Sequence, residues 1–310
     1  MISTRRLMHR LAHAVLTLFG VITLVFFLQR LAGDPVLLLV PENASLADIQ
    51  MLRHSLGFDR PLTVQYLEFL VRAAHLDLGS SLVQQVPVIE IVASRLPYTL
   101  ALAGGALSVA LLLGLPAGVF LAMCPRHWLR TPLEVFLAAV QSLPTFWSGM
   151  LLVLVFAVTL GWLPPSSSGS WQHLVLPSLA LGLMSLATFA RVTRAALTEE
   201  LGRDYVRSAL SRGVPPVRLL LRHLSRNAAL PVLSVAGLEI ANLLAGAVIV
   251  ENLFAWPGLG QLTLQAILAR DFPLVQAVVL LGAFVTIGLN LATDLLYGVV
   301  DPRIRMGAAA

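Results

Sequence analysis

Long apolar runs, separated by shorter polar stretches, set the pattern of this chain. Six runs have the length a bilayer-spanning helix requires, roughly 20 residues: 11–31, 96–123, 135–160, 174–190, 230–250 and 272–293. The run 161–171, GWLPPSSSGSW, sets turn formers between two tryptophans and predicts an interfacial hairpin between the third and fourth spans. Two polar regions carry a different signal. In 33–95, SLADIQMLRHSLG opens on a Ser-x-x-Asp capping box (Ser45, Asp48) and closes at Gly57, which predicts a short helix. PLTVQYLEFLVRAAHLDLG then predicts a second, amphipathic one, so the region reads as a small folded cap between the first two spans. In 197–229, DYVRSAL predicts a helix, Gly213 its C-cap and Pro215-Pro216 the start of another helix. VRLLLRHLSR then places Leu219, Leu220 and Leu224 on one face and Arg218, Arg222 and Arg226 on another. The pattern predicts two short amphipathic helices joined by a Gly–Pro elbow.

Composition agrees with an all-α, multi-pass membrane protein. Hydrophobic residues make up 57% and charged residues 12%, and the mean hydropathy is +0.84. These values override the two soluble domains that 310 residues would otherwise suggest. Charge adds orientation. The net charge is +5 and every basic side chain counted in it is an arginine. Fifteen of the 21 arginines precede span one, lie between spans two and three or four and five, or follow span six. The opposite loops are poor in charge, and 33–95 is slightly acidic. The positive-inside rule therefore predicts both termini and 197–229 in the cytoplasm, with 33–95 outside, and explains the high pI without nucleic acid. The run 11–31 follows a basic stretch but ends at no clear cleavage site, so it is expected to remain as the first span. A lone cysteine, Cys124, excludes an intrachain disulfide framework.

The segment 204–232, DYVRSALSRGVPPVRLLLRHLSRNAALPV, resembles the EAA loop of bacterial ABC importer permeases. Arg207-Ser208-Ala209 and Gly213 stand where that family has Glu-Ala-Ala and, three residues later, Gly. Arg207 in place of Glu, and a proline delayed to Pro231, are departures of the peptide/nickel subfamily. LAGDPV, LGFDRPLTVQY, LDLGSS, SRLPYTL, SWQHLVLPSL, VENLFAWPGLGQL and DLLYGVVDPRIR resemble further landmarks of its first permease subunit, in order along nearly the whole chain. The resemblance implies a type I importer permease fold and a single permease domain over 1–310. It also implies a second homologous permease, two cytoplasmic ATPases and a periplasmic substrate-binding protein in the bacterial inner membrane. The ATPase-coupling residues would be Asp204, Tyr205, Arg207, Ser208, Ala209, Arg212, Gly213, Val214, Pro215 and Pro216. Di- or oligopeptides are the implied cargo, with nickel, a metal chelate or glutathione as alternatives.

The chain itself cannot hydrolyse ATP by the P-loop route, because that motif needs a lysine and the sequence has none. ATP and Mg are therefore expected on partner subunits, with no cofactor or metal held here. Glu239 is the one acid expected near mid-span, where ionisable groups face a cavity or a partner. It is a candidate for the substrate pathway together with Asn242, or for pairing with a polar group of the second permease. Ala236, Gly237, Ala241, Ala245 and Gly246 would allow close packing beside it. Glu251 and Asp294, at span ends, read as structural. AWPGLG (255–260) reads as a re-entrant or gate turn with Trp256 at the outer interface, and His9 and His13 as interfacial groups rather than metal ligands. A secondary transporter would need paired mid-membrane ionisable groups and an internal repeat, and a membrane enzyme a catalytic constellation. The sequence offers none of these.

Overall fold

The structure is a computed structural model that describes residues 4–31, 36, 45–55, 57–75 and 77–300. Asp34, Glu42, Arg303 and Arg305 lie outside the described residues, as do the side chains of His9 and Asp294. Regular structure among the described residues is helical apart from one isolated bridge, Ser80 with Pro87. The helices are α1 (Thr4–Leu31), α2 (Leu46–Ser55), α3 (Leu62–Ala74), α4 (Val88–Met123), α5 (His127–Ser142), α6 (Thr145–Thr159), α7 (Trp171–Leu201), α8 (Asp204–Ser211), α9 (Pro216–Leu253), α10 (Leu259–Leu268) and α11 (Phe272–Val300). α4, α7, α9 and α11 are long and apolar enough to cross a membrane. The bent pair α5–α6 makes a fifth such segment, and α1, apolar over Ala12–Phe27, carries the remaining predicted run.

Three expectations are corrected. The third run is not one straight span: α5 and α6 meet at a bend of 113°. A residue before proline is driven out of the helical region, and Leu143, preceding Pro144, is extended at φ −89°, ψ 133°. The second of the two short helices after Gly213 is not separate. It runs through a π-helical turn at Leu220–Leu224 into the fifth span, so that α9 is one helix of 38 residues. Trp256 is no interfacial anchor, since it is 5% exposed and its indole N–H donates to the Tyr98 carbonyl at 2.9 Å.

The described chain forms two compact units. The first comprises Tyr98–Gly258 with residues 288–300. α7 is its central helix, with Leu176, Leu186, Ala187, Phe189 and Ala190 fully or nearly fully buried. α4 lies against it with almost no side-chain spacing. A Cβ on Gly118 would fall 2.5 Å from the Ala190 carbonyl oxygen, and one on Gly182 2.6 Å from that of Ala106. Small residues that let backbones approach are the usual glue between helices in lipid, where there is no hydrophobic drive for association. At the end of α9, Glu251 is fully buried, and the Thr99 hydroxyl donates to it at 2.6 Å. Gly258 leaves room for this carboxylate, since a Cβ there would lie 2.1 Å from Oε1.

The second unit comprises Thr4–Pro97 and Leu259–Ile287. The predicted capping box is present: the Ser45 hydroxyl donates to Asp48 at 2.7 Å, and the Asp48 amide donates back to Ser45 at 3.2 Å. The Ser45 hydroxyl, and then the Ser45 amide, which also donates to this carboxylate at 3.2 Å, lower the Asp48 carboxyl below its ordinary range. α3 packs its aromatic face on α1, with Phe26 stacked on Phe69 at 5.6 Å and Thr23 hydrogen-bonded to the Tyr66 hydroxyl at 2.7 Å. Asp271 is 1% exposed and joins two segments. It accepts from the Ser81 hydroxyl, from the Leu82 amide at 3.1 Å and, as the cap of α11, from the Leu274 amide at 3.4 Å.

Candidate coupling surface and pathway residues

The predicted coupling residues fall on one compact module, the turn–helix–turn between α7 and α9. α8 ends at the predicted glycine, with the cap itself one residue earlier than expected. Arg212 is the C-cap and Gly213 follows at φ +75°. The Gly213 amide donates to the Leu210 carbonyl at 2.9 Å, and the Val214 amide to that of Ala209 at 3.2 Å. This is the Schellman pairing, which needs a left-handed residue and so favours glycine. Pro215 then holds extended backbone, and Pro216 takes the first helical position of α9, where its missing N–H costs nothing.

The module has two faces. Val206 and Ala209 are buried, in a cluster with Ala196 and Leu197 of α7 and Leu219, Leu224 and Ala228 of α9. Tyr205 and Val214 pack at its edge. Asp204, Arg207, Ser208, Arg212, Gly213, Pro215 and Pro216 are exposed. So is Leu210, at 52%, an apolar knob that the sequence reading did not single out. Arg218, Arg222 and Arg226 are exposed on α9 as their spacing predicts, while Leu219 and Leu224 are buried. Pro215, Val217, Arg218, Leu221 and Arg222 line a shallow groove at the start of α9. The exposed face is thus basic with apolar points, held on a rigid apolar base.

One buried acid fixes the module, and sequence reasoning missed it. Glu200, in the last turn of α7, is 7% exposed. Its carboxylate accepts from the Tyr205 hydroxyl at 2.5 Å, from the Asn227 amide at 3.0 Å and from Arg203 Nε at 2.9 Å. Burial and then the bond to Glu200 raise the Tyr205 phenol above its ordinary range, so it remains the donor. Two adjacent acids before DYVRS were the available signal. Choosing Glu200 over Glu199 needed the tertiary position of Asn227.

The candidate pathway residues are not brought together in the same way. Glu239 is half-buried and accepts a hydrogen bond from the hydroxyl of Ser185, a buried residue of α7. Asn242 is exposed. Among the described residues no group of three or more His, Cys, Asp or Glu is arranged to hold a metal ion.

Comparison with known proteins decides the family. Residues 114–306 match the family described as binding-protein-dependent transport system inner membrane component, and residues 3–103 match the N-terminal region described for such membrane components. The chain belongs to this family. Glutathione transport system permease proteins GsiC from Escherichia coli strain CFT073, Escherichia coli strain K12 and Shigella dysenteriae serotype 1 are each 40% identical to it. Each alignment covers 96% of this chain and 97% of the relative. Among solved structures, the inward-facing MetNI methionine ABC transporter resembles this permease with a TM-score of 0.61 at 17% identity, over 69% of this chain and 98% of that one. An amino acid ABC transporter structure gives 0.51 at 18% identity, over 69% and 94%. At such identities the likeness carries the fold, that of a type I ABC importer permease. The chain is therefore a multi-pass inner-membrane permease subunit of an ABC importer. It is a non-catalytic component that works with ATPase and substrate-binding partners.

Proposed function

We propose that this permease pairs with a second, homologous permease to carry short peptides inward, glutathione among them. Two ATPases would act on the inner side and a periplasmic binding protein would deliver cargo outside. Nucleotide and Mg belong to the ATPases, and this chain holds no cofactor. Both termini and 197–229 face the cytoplasm, and 33–95 faces the periplasm, as the arginine distribution favours. α8 is the coupling helix. The observation that carries this reading is its construction: a short helix with a buried apolar base, a Schellman end at Gly213 and a Pro-Pro start to α9, presenting exposed Arg207, Ser208, Leu210 and Arg212. A contact that must transmit movement needs such rigidity. The peptide-class cargo is supported by 40% identity to glutathione permeases over nearly the full chain. Glu239 and Asn242 are assigned to the pathway, where a carboxylate suits a peptide ammonium group.

Replacing Gly213 by valine tests the coupling role. Left-handed backbone costs an ordinary residue about 1–2 kcal/mol, and a β-branched one suits it worse. The expected outcome in cells expressing the complete importer is a variant that inserts and assembles but loses most uptake of radiolabelled glutathione and of an unmodified tripeptide. Wild-type uptake by an assembled Gly213→Val complex would refute the assignment.

A further inference from the structure

We infer that Glu200 is the positioning residue that makes α8 and the adjoining ends of α7 and α9 move as one body, so that load applied to α8 reaches both long helices. This rests on the reading of α8 as the ATPase-docking helix.

α8 has eight residues, too few to be stable on its own in water. It is connected to its neighbours by two turn joints, Gly202-Arg203 before it and the Schellman end at Gly213 after it. The apolar base of Val206 and Ala209 resists lifting, but packing of small apolar groups is non-directional and does little to stop α8 turning about those joints. A directional restraint comes from Glu200. Its carboxylate takes donors from the linker (Arg203), from α8 (Tyr205) and from α9 (Asn227), while the residue itself belongs to α7. One charged group therefore ties the linker and three helices together. Hydrogen bonds to an ionised acceptor are about twice as strong as neutral ones, and the Glu200 carboxylate is itself buried although Arg203 and Asn227 reach it from solvent-exposed positions. The neighbouring Glu199 supplies a contrast. It also pairs with Arg203, at 3.0 Å, but its side chain is 73% exposed, and ion pairs of that kind restrain little.

The test uses the complete importer in proteoliposomes and reads how far the binding protein, purified from its native periplasm, stimulates ATP hydrolysis. That stimulation must pass from the outer side through the permease to the ATPases. Glu200→Gln keeps the shape and removes the charge, and its stimulation is expected to fall about fivefold or more, the scale of a coupling energy between sites. Tyr205→Phe removes one donor and keeps the ring, and should move the same way by less. Glu199→Gln should behave as wild type. A cysteine at Arg212, cross-linked to the ATPase, reports docking separately. If Glu200→Gln and Tyr205→Phe assemble, cross-link and are stimulated like wild type, the inference is overturned and docking stands. Absence of the cross-link in the otherwise wild-type complex refutes docking itself. If Glu200→Gln does not assemble, Tyr205→Phe and Asn227→Leu decide, and unchanged stimulation in both overturns the inference.

Discussion

A carboxylate near the middle of a span costs roughly 2.5–3.5 kcal/mol on insertion scales, so Glu239 needs a partner or a wet cavity. The structure supplies one partner, the Ser185 hydroxyl of α7, and leaves the residue half-buried. One hydroxyl satisfies only part of what a carboxylate can accept, which leaves capacity for a further donor. Glu239→Gln keeps the Ser185 bond and removes the charge. Uptake of glutathione is expected to fall at least about tenfold, the scale of losing one charge-assisted hydrogen bond, with the complex recovered intact on purification. Uptake equal to wild type would remove Glu239 from the pathway, and loss of the second permease on purification would place it in the subunit contact instead. Other single residues divide by what neighbours they need. Gly213 was legible in the sequence, because a left-handed C-cap is a local demand. Glu200 was not, because its partner Asn227 lies 27 residues away in the chain; Glu251 was read as structural from its place at a span end, but its partner Thr99, 152 residues away, was not legible.

Element boundaries were legible where the chain itself enforces them. The Ser45–Asp48 box starts α2, Gly213 ends α8, and Pro216 starts α9. The break between α5 and α6 had a local cause in Leu143-Pro144, after Gln141-Ser142, but the absence of any charge over 135–160 let it read as one span. Nothing local showed that α9 would absorb the short helix after Pro216, because continuity through the π-helical turn depends on Leu219 and Leu224 docking in the cluster beneath α8. The close crossing of α4 and α7 offers its own prediction. A valine at Gly118 would collide with the Ala190 carbonyl and the Thr193 side chain, and backbone cannot yield as a flexible side chain can. Overpacking of this kind costs about 1–3 kcal/mol or more. Gly118→Val should lower the thermal unfolding midpoint of the purified complex and its yield, whereas Gly104→Val, where a Cβ meets nothing within 4 Å, should change neither. Equal midpoints for the two variants would show that the crossing is looser than described.

For the whole molecule, arginine placement and the coupling module support one joint proposal: that the basic face of α8 lies on the side where ATP is. Orientation can be read with an impermeant thiol reagent in a background lacking Cys124. A cysteine at Ser45 should label in spheroplasts, and one at Ser211 only after the membrane is opened; the reverse order would invert the topology. Both positions are exposed, so access is not limited by the fold. The central claim, that α8 is where the ATPase acts on this permease, is tested most directly by a photo-activated cross-linking residue at Ser208, on the exposed face of α8, in the assembled importer. The account predicts an adduct with an ATPase subunit that is absent when the same group is placed at Ser45. An adduct only with lipid or with the binding protein at Ser208, while the complex hydrolyses ATP and transports, would contradict it.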